Sequence, residues 1–194
     1  MKKFARSILK WQQTHGRHDL PWQNGRDPYR IWISEVMLQQ TQVNAVIGYF
    51  ERFMHRFPNV TTLASANIDE VMPYWAGLGY YARARNIHKS AGIITTNFDG
   101  QFPRQYESVL ALPGVGRSTA SAICAFAYGA PIPILDGNVK RVFARFFGMA
   151  RRPYFQSRVL APMPSVGLGM CELPLRAGPL DIPPVELPRA ALCT

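Results

Sequence analysis

Leu112-Pro113-Gly114-Val115-Gly116-Arg117-Ser118-Thr119-Ala120 lies between two segments that read as helices, at 105–111 and 117–128. Two glycines straddle one apolar residue. Glycine permits positive φ and leaves no side chain between the backbone and a ligand. The N–H groups of such a turn, with the N-terminus of the helix that follows, form a pocket for a phosphate oxygen. A device of this kind grips backbone rather than base edges, so it positions a protein on nucleic acid without sequence preference. A bare pair of glycines would equally suit an ordinary tight turn. The full string, with Val115 set between the helices and Leu112 just before the turn, favours a DNA-binding hairpin over 105–128.

The rest of the chain up to residue 149 is helical in pattern. Phe4, Ile8 and Trp11 recur at helical spacing and end near Gly16. Asp27-Pro28 starts a helix, since aspartate caps and proline suits the first turn. One long apolar-periodic segment is predicted over 29–53, followed by helices at 68–76, 83–97 and 138–148. Glycines and prolines mark the loops between them. No segment alternates with period two, so the fold class is all-α. Beyond residue 150 the pattern changes. Half of the 16 prolines fall at 153, 162, 164, 174, 179, 183, 184 and 188, too densely for a long helix. Residues 151–194 contain no Lys, Asn or His. They read as a disordered Pro-rich tail or as the product of a shifted reading frame.

Charge points to a polyanion. Lys and Arg number 22 against 12 Asp and Glu, a net +10, which favours nucleic acid but specifies no chemistry. No apolar run approaches the length of a membrane span. The basic start of the chain lacks a signal core. A cytoplasmic, nucleoid-associated monomer with no membrane contact is the expectation. The three cysteines, Cys124, Cys171 and Cys193, are scattered and form neither a disulfide framework nor a metal knuckle.

Three further motifs carry possible chemistry. In Leu135-Asp136-Gly137-Asn138-Val139-Lys140-Arg141, Asp136 just precedes a helix. That is the position of a plain N-cap, and also one where the dipole and free N–H groups favour an anion. A fixed carboxylate can stabilise the oxocarbenium-like transition state of N-glycosidic cleavage. In Trp32-Ile33-Ser34-Glu35-Val36-Met37-Leu38-Gln39-Gln40-Thr41-Gln42-Val43, Glu35 interrupts an apolar helix segment. If buried, it should have a raised pKa and serve as a general acid; the alternatives are a solvent-facing or arginine-paired glutamate. Gln39 and Gln40, read as part of the same helix, carry amides able to meet base edges, or form a solvated face. In Gly77-Leu78-Gly79-Tyr80-Tyr81-Ala82-Arg83-Ala84-Arg85 the aromatics can wedge into a base stack and the arginines can meet phosphates; a loop with core tyrosines is the alternative.

Together the four motifs resemble the helix-hairpin-helix glycosylases of the endonuclease III superfamily. The resemblance is closest to the adenine DNA glycosylases (MutY type) and runs from about Trp11 to about Gly148. It implies two helical lobes with DNA in the cleft between them: a core lobe from 27–134, and a terminal, cluster-type lobe from 1–26 and 135–149. It implies base-excision removal of adenine opposite 8-oxoguanine or guanine in double-stranded DNA. Glu35 would protonate the adenine ring and Asp136 would stabilise the sugar cation. Ser118 and Asn138 would be supporting residues, and Trp22 and Val43 would line the base pocket. Gln39, Gln40 and Tyr80 would probe the opposite base, with Leu112, Gly114, Val115 and Gly116 on the DNA backbone. Relatives that also cut the strand carry lysine where this chain has Ser118, because an amine is needed for a Schiff base. A monofunctional enzyme is therefore expected, an endonuclease III-like lyase or a DNA-binding fragment without turnover being the alternatives.

The chain departs from this pattern after residue 149. The family's [4Fe-4S] cluster takes four cysteines, and that motif is absent; Cys124 reads as a core residue of its helix. The terminal lobe is then expected to be incomplete, with Phe4, Ile8, Trp11, Val142 and Phe146 lacking part of their cover and stability lowered.

Overall fold

The computed structural model describes residues 2–148; residues 149–194, with Cys171, Cys193 and the Pro-rich segment, lie outside them. Among the described residues there are nine α-helices and no strand: α1 Lys2–His15, α2 Pro28–Met37, α3 Val43–Arg56, α4 Val60–Ser65, α5 Ile68–Trp75, α6 Ala82–Asn97, α7 Tyr106–Leu110, α8 Arg117–Tyr128 and α9 Gly137–Phe146. A 3-10 turn, Pro21–Gln23, follows α1. The all-α expectation holds.

Helix α2 is the centre of the molecule. Asp27 caps it by accepting from the Tyr29 N–H at 2.9 Å, and Pro28 fills its first position. Seven of its ten residues are buried, from Tyr29 to Met37. A helix buried nearly all round must be packed on several sides, and α2 meets α3, α6, α8 and the 3-10 turn. Its broadest partner is α8, whose buried positions are mostly Ala and Ser with Thr119, Ile123 and Cys124. Such small side chains let the two backbones approach. Gly129, at φ +67, ends α8 in the left-handed conformation, its N–H bonded to the Ala125 carbonyl and that of Ala130 to the Cys124 carbonyl. Trp32, Phe50, Phe53, Phe57 and Trp75 are fully buried in one continuous core.

The single helix expected over 29–53 is two. Helix α2 ends at Met37, and the Gln39 N–H bonds back to the Val36 carbonyl in a tightened last turn. Gln40 then takes φ +59, and Gln42 is extended before α3 begins. Gln39 and Gln40 therefore sit on an interhelical loop, not on a helix face. The apolar period crosses the break undisturbed because both helices pack on the same core. Helix α4 was also not anticipated; at six residues it is held by Asn59, whose Oδ1 accepts from the Thr62 N–H at 2.8 Å and from two threonine hydroxyls.

The two ends of the described chain meet through aromatics. The Phe4 ring lies 4.3, 5.3 and 5.8 Å from those of Phe146, Phe143 and Phe147. Phe4 is thereby buried, whereas Phe146 and Phe147 stay 54% and 46% exposed. Ile8, Trp11 and Val142 are half-buried, and no residue of α9 is fully buried. Among the described residues, then, Phe4 is covered and Phe146 is not.

Candidate active site

The 112–116 turn joins α7 to α8. Leu112 and Val115 are buried and anchor it, and the Val115 N–H closes it on the Leu112 carbonyl at 3.1 Å. Gly114 stands at φ +76, and a Cβ there would come within 2.9 Å of the Asn86 side chain, so both conformation and space require glycine. Exposed Gly116 begins α8 with no side-chain cap, leaving the first N–H groups of the helix without intrahelical partners. Ser118 lies half-buried in that first turn. Sequence reading missed Ser90 of α6, fully buried, whose hydroxyl donates to the Pro113 carbonyl at 3.1 Å and fixes the turn from behind.

Glu35 lies half-buried in the last turns of α2, between buried Ser34 and Val36. Trp22 sits on the 3-10 turn and Val43 opens α3, both in elements that pack against α2. Arg30 of α2 holds the 3-10 turn through the Pro21 carbonyl at 3.0 Å, with its guanidinium over the Phe50 ring. Trp22 packs edge-on to Phe50 at 5.5 Å. Trp22 and Val43 are 2% and 3% exposed, so both belong to the core rather than to an open wall.

Asp136 is the N-cap of α9, its Oδ1 accepting from the Val139 N–H at 2.7 Å. It is half-buried. The Asn138 amide oxygen accepts from the Arg141 guanidinium. Helix α9 packs broadly on no other helix of the described chain, whereas the elements that carry Glu35, Trp22 and Val43 pack on one another and α2 packs on α8.

Two loops frame the face between α2 and α6. In one, Gln39 is half-buried and donates to the Thr119 hydroxyl at 3.4 Å, while Gln40 is exposed. In the other, Tyr80 is 63% exposed at φ +50. A non-glycine residue in the left-handed region costs about 1 kcal/mol or more, and both loops carry one. Arg83, expected to meet phosphates, is instead buried; burial pulls its guanidinium below the usual value. Arg85 is the exposed one. Between α2, α6 and the hairpin runs a cleft of about 50 Å³ lined by Val36, Gln39, Arg83, Asn86 and Gly114, room for a few waters rather than a base.

The described residues do not fit a [4Fe-4S] cluster. Cys124 is buried in α8 with its thiol directed to the Arg104 carbonyl, and burial pushes that thiol up. Among the described residues no three His, Cys, Asp or Glu side chains gather as metal ligands. Nor is any described helix long and apolar enough to cross a membrane.

A helical scaffold with a glycine hairpin, a half-buried glutamate and a capping aspartate defines a class, the helix-hairpin-helix DNA repair proteins. The profile of the HhH-GPD superfamily of base excision DNA repair proteins matches residues 33–158, and this chain belongs to that superfamily. It is 49% identical over 146 residues to an adenine DNA glycosylase of Buchnera aphidicola, covering 75% of this chain and 42% of that protein. It is 39% identical over 201 residues to the adenine DNA glycosylase of Homo sapiens. That second match covers 98% of this chain, and so reaches into residues 151–194, and 36% of the human protein. The chain thus spans about two fifths of the length of these relatives. Among solved structures, a thermostable thymine-DNA glycosylase superposes with a TM-score of 0.71 at 30% identity, over 76% of this chain and 68% of that one. Endonuclease III in a DNA complex superposes at 0.66 with 24% identity, over 77% and 68%, a likeness of fold.

Proposed function

We propose that this chain is the catalytic core of a monofunctional DNA glycosylase, acting as a monomer, that removes adenine opposite 8-oxoguanine or guanine in duplex DNA. The observation that carries the reading is the placement of Glu35 on the central helix, beside the hairpin helix α8, in a chain 49% identical to a named adenine DNA glycosylase. The N–H groups of the 113–116 turn and of the start of α8 take a phosphate and fix register. Flipping the adenine costs a few kcal/mol, least at a mispair. Gln39, Gln40 and Tyr80 fill the gap and probe the opposite base. Trp22 and Val43 support the flipped base from below.

Glu35 gives its proton to a ring nitrogen of the adenine, and the C1′–N9 bond breaks with its electron pair leaving on the base. The sugar cation is stabilised by the Asp136 anion. Water then adds at C1′ and its proton returns to Glu35. Asn138 supports this end of the site by position, one residue into α9. Ser118 has no amine with which to form a Schiff base, so the abasic strand stays intact.

Single-turnover release of adenine from duplex carrying A opposite 8-oxoguanine tests the reading. The wild-type chain is expected to release base, and Glu35→Gln to lose at least a hundredfold in rate, in the 10²–10⁴ range of general acid catalysis. Strand breaks without alkali would count against monofunctionality. The second reading, DNA binding without turnover, is favoured by the sparse packing of α9. It predicts retention of duplex with no adenine released by either protein.

A further inference from the structure

Arg83 of α6 reaches between the two loops. Its Nη1 donates to the carbonyls of Val36, Met37 and Gln39 at 2.8, 3.0 and 2.6 Å. Its Nη2 donates to the carbonyls of Leu78 and Gly79 at 3.1 and 3.2 Å, and to the Thr41 hydroxyl at 3.4 Å. One nitrogen thus serves the end of α2, the other chiefly the 77–80 loop. The carbonyls of Val36, Met37 and Gln39 lie at a helix C-terminus, where intrahelical donors run out. The guanidinium also lies over the rings of Trp75 and Tyr80 at 5.4 and 5.5 Å.

The two residues that directly follow the gripped Gln39 and Gly79 are Gln40 and Tyr80, both exposed and both left-handed, at φ +59 and +50. Strained conformations persist only where their surroundings over-determine them. Here the surrounding that both share is one buried cation; its remaining Nε–H is buried without a hydrogen-bond partner, and the residue lines the cleft together with Pro113 and Gly114.

We propose that Arg83 is a positioning residue that couples the 38–42 and 77–80 loops, so that Gln40 and Tyr80 are presented to duplex DNA as one preset unit. The functional part of this inference rests on the glycosylase reading above; the coupling itself does not. Lysine would keep the charge but not the fork. An ammonium is a compact point of donors, whereas the guanidinium's two terminal nitrogens reach two loops at once.

Hydrogen exchange by mass spectrometry on the full chain reads the coupling without DNA. In Arg83→Lys, amides in both loops are expected to exchange at least tenfold faster, while those of α4 and the second half of α6 stay within twofold of wild type. Gly79→Ala is the second variant. A methyl at Gly79 meets no atom within 4 Å, but φ is +70, so alanine perturbs only the backbone of its own loop. Coupling predicts that it also speeds exchange at 38–42. If Arg83→Lys unfolds globally, Gly79→Ala alone carries the test, and unchanged exchange at 38–42 would overturn the proposal. On DNA, Arg83→Lys is expected to reduce the preference for an A:8-oxoguanine duplex over an A:T duplex about tenfold, with affinity for the A:T duplex held within twofold. Equal loss on both duplexes would mark Arg83 as merely structural and also overturn it. A wild-type chain that shows the exchange coupling but releases no adenine would sink the glycosylase reading and leave the coupling standing.

Discussion

Asp136 holds two positions at once, a helix cap and a candidate anion, and one substitution separates them. Asparagine caps about as well as aspartate, so Asp136→Asn should keep the bond from the Val139 N–H and change stability by less than about 0.5 kcal/mol. It removes the charge that would face the sugar cation, a loss on the order of 10²–10³ in rate if preorganised electrostatics act there as elsewhere. Thermal melting and single-turnover adenine release measure the two separately; an unchanged rate would leave Asp136 only its cap. At this scale the sequence was informative about which residue types matter and silent on how they are held. Glu35 and Asp136 stood out through motifs. Ser90 behind Pro113 and the burial of Arg83 did not, because a serine or arginine in an amphipathic helix looks the same whether it faces water or a buried carbonyl.

Helix boundaries were legible where a cap or a glycine marks them. Asp27-Pro28 starts α2, Gly129 ends α8, and both ends of α8 agree with the pattern. The break between α2 and α3 left no such mark. It consists of Gln39, Gln40, Thr41 and Gln42, ordinary helix-compatible residues, and the group that meets its carbonyls is Arg83, far away in sequence. Helix α4 was hidden by its brevity; its signal is the capping Asn59. Asn59→Ala removes the acceptor of three hydrogen bonds at that end and is expected to cost about 1 kcal/mol. For a domain of this size that lowers Tm by about 2–4 °C, measurable by circular dichroism. Because α4 packs chiefly on α6, the same substitution should leave binding to the hairpin unchanged.

For the molecule as a whole, packing is uneven: a continuous core binds α2 to α8, while α1 and α9 meet chiefly through Phe4 and the three phenylalanines of the chain's described end. Regions with few buried apolar contacts open at lower free energy than the global unit. The aspartate therefore rides on an element less firmly held than the one carrying Glu35. Phe4→Ala tests this. Core Phe→Ala changes cost about 3–5 kcal/mol, and the partial exposure of Phe146 and Phe147 places this one at or below the low end of that range. If α9 opens on its own, the cost is borne locally: the main melting transition shifts by less than about 1 °C, exchange protection in α9 is lost, and affinity for undamaged duplex through the hairpin persists. Adenine release should nonetheless fall with the loss of a positioned Asp136. A Tm lowered in step with the full cost of the substitution would instead mean that α1 and α9 melt with the core, and that the two carboxylates are held by one cooperative unit.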